Sequence, residues 1–379
     1  QAKAMEKYVG GAQQKSAIDA AAAQLAGTTL ASVESMLKTM NHKAQALAPA
    51  DLAKLKREMV ERDSQGLIDF IEPDRTLEDL YGQEKVKAWL RQDIALWAKN
   101  DTKAMPMGYL ICGPVGTGKT YMVECFAGEA GVPVVKLKNF RDRWVGSTEG
   151  NLEKIFALLH ALGKCVVFVD EADQALGRRN ADSGDSGVGG RVYSMMAEEM
   201  SDTRNRGKIL WILASSRPDL IEVDLKRPGR VDVKIPLFPT TEPEESFMLI
   251  RALCKRRGLV IPEEAYAELK DALPLWLTPG AAEALAVKVY RRVAVGGGAE
   301  NSKAAKQQSG KSEGKQGADD GSRVSVSMTA LMALKESLVD YQNPVPREVM
   351  EFQIGLAVKE ASDLEFVPVP LRKFVGAQR

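Results

Sequence analysis

Hydrophobic residues in the middle of this chain follow two alternating patterns. Short apolar runs predict β-strands at 108–112, 132–137, 166–170, 209–214 and 231–237. Between these runs, apolar residues recur every three or four positions, which predicts helices. Strands that alternate with helices indicate a parallel five-stranded sheet that is covered by helices on both faces, so we expect an α/β domain over residues 65–240.

Helical patterns dominate on both sides of this α/β region. Residues 1–64 are rich in Ala and Gln and predict a helical N-terminal segment with thin apolar stripes, which could pack on the next domain, a neighbouring subunit or a partner. Residues 241–379 predict a helical subdomain. Within it, residues 296–322 contain no large apolar side chain, and we expect a mobile insertion there because such a stretch cannot offset its ordering entropy by burial.

One motif lies between the strand at 108–112 and the helix that follows it. Residues 113–120 read Gly-Pro-Val-Gly-Thr-Gly-Lys-Thr and match the phosphate-loop pattern G-x-x-x-x-G-K-[ST]. Glycines allow successive backbone N–H groups to point inward, and the N-terminus of a helix adds partial positive charge. We expect Lys119 to contact nucleotide phosphates and the Thr120 hydroxyl to hold Mg²⁺. The predicted phosphate-binding residues are Pro114, Val115, Gly116, Thr117, Gly118, Lys119, Thr120 and Tyr121.

A second motif is the acidic end of the strand at 166–170. Four apolar residues are followed by Asp170 and Glu171, about fifty residues after the phosphate loop. Adjacent carboxylates at the end of a buried strand are expected where a cation is held. In a chain with a phosphate loop, we expect Asp170 to hold Mg²⁺ through water and Glu171 to polarise the attacking water.

Composition narrows the classes of function. The chain has 52 Lys and Arg against 51 Asp and Glu, so net charge gives no reason to expect a nucleic acid or an anionic membrane as partner. No apolar run has the length of a membrane span. Four widely spaced cysteines in apolar or helical surroundings indicate reduced core thiols, and we expect a cytoplasmic protein. The chain begins with Gln1, so we expect a fragment or a processed product.

Two further motifs follow the first two in the order found in AAA ATPases. Residues 214–219 read Ala-Ser-Ser-Arg-Pro-Asp, and residues 227–232 read Arg-Pro-Gly-Arg-Val-Asp. From about 67 to 295 the chain therefore resembles this family, in particular the branch of protein-unfolding and complex-disassembling motors. The resemblance implies a P-loop AAA+ module with a helical lid after it, ATP hydrolysis with Mg²⁺, and a homo-oligomeric, hexameric ring with ATP between subunits.

The resemblance also assigns roles to residues outside the phosphate loop. Arg227 and Arg230 match the paired arginines that reach the neighbouring subunit's nucleotide. Ser216 stands where the family usually has Asn beside the γ-phosphate, and its shorter side chain implies a contact through water and an altered hydrolysis rate. Tyr81-Gly82 resembles the segment against the adenine, and Gly280-Ala281 resembles the lid turn near the base and ribose.

The loop with Trp144, Val145 and Gly146 carries the prediction about the substrate. An aromatic residue in a charged, Gly-containing loop is poorly explained by core packing. The position resembles the family's aromatic–hydrophobic–glycine loop, which lines the central pore and grips an extended polypeptide. The segment 177–190 could form a second pore loop or a plain flexible loop.

The leading prediction is an ATP-driven remodeller that unfolds, threads or disassembles a protein substrate. A nucleic-acid loader or translocase is an alternative, supported only by Arg141 and Arg143 near the predicted pore loop. A slow-hydrolysing, nucleotide-gated scaffold is another, supported by Ser216. The sequence identifies neither the protein substrate nor an adaptor.

Overall fold

In the computed structural model, the described residues are 64, 66–138, 148–176, 188–304 and 329–375. The predicted N-terminal helices, the loop with Trp144, Val145 and Gly146, and most of the segment 177–190 lie outside these residues. The strands are β1 (Ile68–Ile71), β2 (Gly108–Cys112), β3 (Val134–Leu137), β4 (Cys165–Val169), β5 (Ile209–Ser215) and β6 (Val233–Pro236). The helices are α1 (Glu84–Ala98), α2 (Lys119–Ala130), α3 (Thr148–Leu162), α4 (Ala172–Ala175), α5 (Val188–Ser201), α6 (Pro243–Lys255), α7 (Tyr266–Leu269), α8 (Pro279–Ala304), α9 (Ala330–Val339) and α10 (Arg347–Glu360).

The described strands form a six-stranded sheet in the order β1-β3-β4-β5-β2-β6. The five predicted strands are present and run parallel to one another, which confirms the α/β class. The predicted total of five is wrong, because β1 adds an antiparallel edge strand in which Ile68 faces Leu137 and Ile71 faces Val134. Ile68 and Phe70 are fully buried while Asp69 and Ile71 are half-buried, so the two buried side chains of this short strand lie on one face of the sheet.

Apolar helices cover both faces of the sheet, as the alternating pattern predicts. On one face α3, α5 and α10 pack through residues such as Ile155, Met196 and Ile354. On the other face α1 and α2 pack through residues such as Leu90 and Phe126. The central strands β2, β4 and β5 are buried along their full length, so their carboxyl ends provide a fixed edge for the loops that follow.

Helices α6, α7, α8 and α9 form a separate apolar cluster after the sheet, which fits the predicted helical lid. Helix α8 continues to Ala304, so residues 296–304 of the predicted mobile insertion are helical, and their mobility remains a prediction. Once a helix has been nucleated, each further residue adds a backbone hydrogen bond, which allows α8 to extend beyond Val289 of the lid cluster. The rest of the predicted insertion, 305–322, lies outside the described residues.

The C-terminal helix α10 packs on the α/β domain and not in the lid cluster. Its residues Met350, Ile354, Ala357 and Val358 belong to the core on one face of the sheet. Farther along, Phe366 packs against the other face, with its ring 5.5 Å from the ring of Trp89. This differs from the predicted lid at 241–379, because an apolar helical stripe does not reveal which of two neighbouring cores it joins.

Candidate nucleotide site

The phosphate loop connects the carboxyl end of β2 to α2, in the strand–loop–helix order that the motif requires. A Cβ atom at Gly113 would lie 2.1 Å from the carbonyl oxygen of Leu237, so the close approach of β6 requires glycine there. Gly118 has a φ of 84°, in the left-handed region, and it immediately precedes α2. Thr117 donates its hydroxyl hydrogen to the carbonyl of Pro114 at 2.9 Å. The loop is thus a tight turn that ends on a helix N-terminus, the arrangement that binds phosphate.

Lys119 is held at this loop by backbone oxygens. Its ammonium group donates to the carbonyl of Gly113 at 2.8 Å and to the carbonyl of Pro114 at 2.9 Å. Burial lowers the pKa of Lys119 to about 8, and the charge of Asp170 opposes this change. The lysine is therefore a partly buried cation, and phosphate oxygens can replace its two carbonyl partners.

Thr120 and Asp170 lie side by side although fifty residues separate them. The Thr120 hydroxyl donates to Oδ2 of Asp170 at 3.2 Å, and the backbone N–H of Glu171 donates to Oδ1 at 3.1 Å. One hydroxyl and one carboxylate fit Mg²⁺, which binds through few protein oxygens together with water and substrate phosphates. Within the described ranges, no cluster of three or more His, Cys, Asp or Glu side chains forms an all-protein metal site.

Glu171 follows Asp170 in an uncommon backbone conformation. Its φ of 48° and ψ of 46° lie in the left-handed region, which non-glycine residues occupy rarely and often at functional sites. Its side chain is exposed, at the start of the short helix α4. The sequence predicts that this carboxylate acts on the attacking water, and that role remains a prediction.

Lys136 is a site residue that the sequence reasoning did not identify. Its ammonium group donates to Oδ2 of Asp170 at 2.8 Å, the same oxygen that accepts from Thr120. Lys136 lies on β3, directly beside β4, and its ammonium nitrogen is 5.4 Å from the centre of the Phe168 ring. The sequence feature that could have identified Lys136 is its position as the only charged residue in the apolar run at 132–137.

The end of β5 brings Ser215 and Ser216 next to the phosphate loop. Ser215 faces Cys112 in the sheet, and its carbonyl accepts from the N–H of Gly113 at 3.2 Å. The Ser215 hydroxyl donates to Asp173 at 2.5 Å and accepts from the N–H of Arg217 at 2.9 Å. Ser216 lies between these two hydrogen-bonded residues, and its role beside the terminal phosphate remains a prediction. Sequence reasoning missed the Ser215–Asp173 bond, which connects the end of β5 to α4.

Arg227 and Arg230 meet at Asp224. Arg227 lies 3.0 Å from one carboxylate oxygen, and Arg230 contacts the other oxygen and donates to the backbone carbonyl at 2.9 Å. The Arg227 side chain is 70% exposed, whereas that of Arg230 is 20% exposed. The structure thus brings both predicted arginines together on the surface, with Arg227 free to extend outward.

A cavity of about 480 Å³ lies where the sequence predicts the base of the nucleotide. Its lining includes Tyr81 and Gly82, the lid residues Leu249 and Pro279, and part of the C-terminal segment at 365–372. The predicted adenine segment and Pro279, which precedes the lid turn at Gly280-Ala281, therefore line one cavity. The C-terminal wall was not predicted, because no motif marks residues 365–372.

The lid turn is connected to the phosphate loop. Gly280 donates its N–H to the carbonyl of Gly116 at 3.0 Å, and the buried Ala281 donates to the Thr278 hydroxyl at 3.2 Å. On the α2 side, the Tyr121 hydroxyl contacts Arg256 of the lid at 3.2 Å. The two parts of the molecule thus meet on both sides of the loop.

Helix α10 also reaches the site. The N–H of Val115, a phosphate-loop residue whose side chain is half exposed, donates to the buried amide oxygen of Gln353 at 3.2 Å. The centre of the ring of Phe352, the residue before Gln353, lies 5.1 Å from the guanidinium of Arg217. Sequence reasoning gave α10 no role at the site, because both contacts join residues that are more than a hundred positions apart.

Comparison with known proteins is consistent with this geometry. Residues 109–238 match the family model for the ATPase family associated with various cellular activities (AAA). The ATP-dependent zinc metalloprotease FtsH of Lancefieldella parvula is 31% identical over 186 residues, which cover 47% of this chain and 29% of the relative. The peroxisomal ATPase PEX6 of Dictyostelium discoideum is 29% identical over 218 residues, which cover 55% of this chain and 18% of the relative.

A solved structure shares the fold. The AAA domain of FIGL-1, crystallised in complex with ADP, aligns with a TM-score of 0.56 at 17% identity and covers 78% of this chain and 94% of that domain. The sequence relatives are much longer than the matched region, so this chain spans less than a third of each of them. Along the described ranges, no helix combines the length and the hydropathy that crossing a membrane requires.

Proposed function

We propose that this chain, whose residues 109–238 match the AAA family model, binds ATP with Mg²⁺ and hydrolyses it. The observation that carries the proposal is the contact between the Thr120 hydroxyl and Asp170 at the loop that holds the partly buried Lys119. A hydroxyl, a carboxylate and a cation at a glycine loop form the set of groups that a magnesium triphosphate requires.

The protein residues have distinct roles in the proposed reaction. Lys119 binds and orients the phosphates, and Thr120 together with Asp170 holds the metal. Bound Mg²⁺ supplies positive charge against the phosphate oxygens. Glu171 accepts the proton of the attacking water, and Ser216 orients the terminal phosphate. Tyr81 and Gly82, which line the neighbouring cavity, hold the base and ribose together with the lid turn at Gly280-Ala281.

Arg227 and Arg230 complete the site of a neighbouring subunit in this proposal. The exposed guanidinium of Arg227 and the pairing of both arginines on Asp224 support it, since a surface pair can cross an interface. A guanidinium aimed at the γ-phosphate stabilises charge that develops during transfer. We propose a homo-oligomeric, hexameric ring as the assembly that places these residues at each nucleotide.

We propose a protein substrate, remodelled by the ring. The names of the relatives, an ATP-dependent metalloprotease and a peroxisomal ATPase, support an ATP-driven machine. Trp144, Val145 and Gly146 would contact the substrate, although they lie outside the described residues. The zinc protease activity in the name of FtsH is not proposed, because a zinc-binding H-E-x-x-H helix needs two histidines four residues apart and this chain has His42 and His160 only.

ATP turnover by the purified chain and by its Glu171→Gln variant tests the proposal. We expect the wild type to release phosphate in the presence of Mg²⁺, and the variant to bind ATP with similar affinity while turnover falls at least about a hundredfold. Undiminished turnover by the variant would refute the role of Glu171. An unfolded polypeptide should stimulate the wild-type rate more than single-stranded DNA does; the reverse order would favour a nucleic-acid translocase.

A further inference from the structure

We propose that Lys136 is a positioning residue that binds the Asp170 carboxylate and competes with Mg²⁺ for it. The inference rests on the proposed ATP function, because it concerns the same carboxylate. Its consequence is a nucleotide site that retains ATP without metal and responds to Mg²⁺ only at raised concentration.

The register of two neighbouring strands places Lys136 beside the carboxylate. Lys136 faces Phe168 in the parallel register of β3 and β4, and Asp170 follows two residues beyond Phe168. Oδ2 of Asp170 accepts from Lys136 at 2.8 Å and from Thr120 at 3.2 Å, while Oδ1 accepts from the N–H of Glu171. The carboxylate is thus held from three sides, and the ammonium group lies on the oxygen that faces the Thr120 hydroxyl.

The charges at this point determine the effect on nucleotide binding. The side chains of Lys136 and Asp170 are 28% and 27% exposed, so their attraction is screened less than that of a surface ion pair. Together with Lys119, Lys136 gives the phosphate site a second fixed cation, which favours binding of a metal-free triphosphate. The same ammonium neutralises Asp170 and repels a divalent cation, which weakens the response to Mg²⁺.

Lys138 is a matched control on the same segment. It lies just after β3 and pairs with Asp69 at 2.7 Å, and both side chains are 42% exposed. Removing the charge of Lys138 changes the net charge of the chain by the same amount as removing that of Lys136, but does so away from Asp170.

The test measures the affinity for a fluorescent ATP analogue, first in EDTA and then in a Mg²⁺ titration. Lys136→Met and Lys136→Gln should weaken binding of the analogue in EDTA about three- to tenfold. Both substitutions should also lower the Mg²⁺ concentration at which half of the Mg²⁺-dependent increase in affinity is reached. Lys136→Arg and Lys138→Met should behave like the wild type. The melting temperature of each variant shows whether it is folded. Because two different neutral substitutions are compared, the result does not depend on whether one particular variant folds.

The outcomes separate this inference from the proposed function. If the wild type binds the analogue and the neutral Lys136 variants match Lys138→Met in both measurements, Lys136 has no positioning role and the inference is wrong. If the wild type binds no analogue under either condition, the proposed ATP function itself fails and the inference fails with it.

Discussion

The hydroxyl of Thr120 lies 3.2 Å from the carboxylate of Asp170 and thereby joins the start of α2 to the end of β4. Parallel strands end at the same edge of a sheet, and this edge brings the two residues together. The contact defines where a metal ion would be held, and Asp170 lies outside the phosphate-loop sequence at 113–120.

Asp170→Ala should therefore separate the metal-dependent part of nucleotide affinity from the rest. We expect the gain in ATP affinity on adding Mg²⁺ to fall about 10- to 100-fold, because a residue that orients the metal is lost. Affinity in EDTA should stay the same or rise, since a negative charge is removed from the phosphate site. Calorimetric titrations with and without Mg²⁺ measure both quantities, and an unchanged metal-dependent gain would exclude Asp170 from the metal site.

Ser216→Asn should raise the rate of ATP hydrolysis. A serine hydroxyl is shorter than an asparagine amide and needs a water to reach the terminal phosphate, whereas the amide can contact it directly. We expect an increase in kcat of about two- to tenfold with little change in KM, because the contact matters mainly in the transition state. Steady-state kinetics of this variant and of a Ser194→Asn control on the exposed face of α5 provide the comparison. A fall in kcat would show that the site is adapted to serine.

Gly113→Ala should disrupt the phosphate loop through a collision with the backbone. A Cβ atom there would lie 2.1 Å from the carbonyl oxygen of Leu237, and the φ of 150° adds strain. We expect a loss of at least about 2 kcal/mol in the free energy of unfolding together with a loss of nucleotide binding. Gly150→Ala is the matched control, since no atom lies within 4 Å of its Cβ position on α3, and it should stabilise by about 0.5–1 kcal/mol. Denaturant unfolding of both variants measures the difference.

A buried carboxylate outside the site gives a prediction about pH. Asp93 is 7% exposed and accepts a hydrogen bond from the Tyr109 hydroxyl, and burial raises its pKa while that hydrogen bond opposes the change. A raised pKa in the folded state means that stability is lost as the pH rises through it. Asp93→Asn keeps an acceptor for Tyr109 and removes the charge. We expect this variant to exceed the wild type by on the order of 1 kcal/mol at pH 7.5 and by less at pH 4.5.

Thermal or denaturant unfolding at both pH values checks this expectation, and the difference between variant and wild type removes the effect of other titrating groups. A difference of equal size at pH 4.5 and pH 7.5 would show that the charge of Asp93 is not what the substitution relieves.

The parts of the site that the sequence predicted are those that a local motif specifies. The phosphate loop and the Asp170-Glu171 strand end are each recognised from a pattern within a few consecutive residues. The hydrophobic runs predicted the strands that precede them. The adenine segment at Tyr81 and the lid turn at Gly280 were predicted through resemblance. The structure places Tyr81 on a cavity that Pro279, the residue before the lid turn, also lines. For these elements, the order of the motifs along the chain was sufficient for the prediction.

The features that the sequence did not predict depend on contacts between distant residues. In the sequence, Lys136 is a single polar residue in an apolar strand. Only the register of β3 and β4 shows that its side chain contacts Asp170. The position of α10, including the hydrogen bond between Gln353 and Val115, depends on whether its apolar residues pack in the core of the sheet or in the lid cluster. The pairing of β1 was missed because four residues are too few to show an alternating pattern.

The central claim is that a nucleotide bound by one subunit is hydrolysed with arginines from the next. A mixing experiment tests it most directly, with a double variant Arg227→Ala, Arg230→Ala and the variant Glu171→Gln, each nearly inactive alone. In equal mixture, about a quarter of the interfaces pair an intact catalytic site with intact arginines from the neighbour, so we expect ATP turnover to recover to about a quarter of the wild-type rate. Turnover that remains at the sum of the two separate variants would contradict a site shared between subunits.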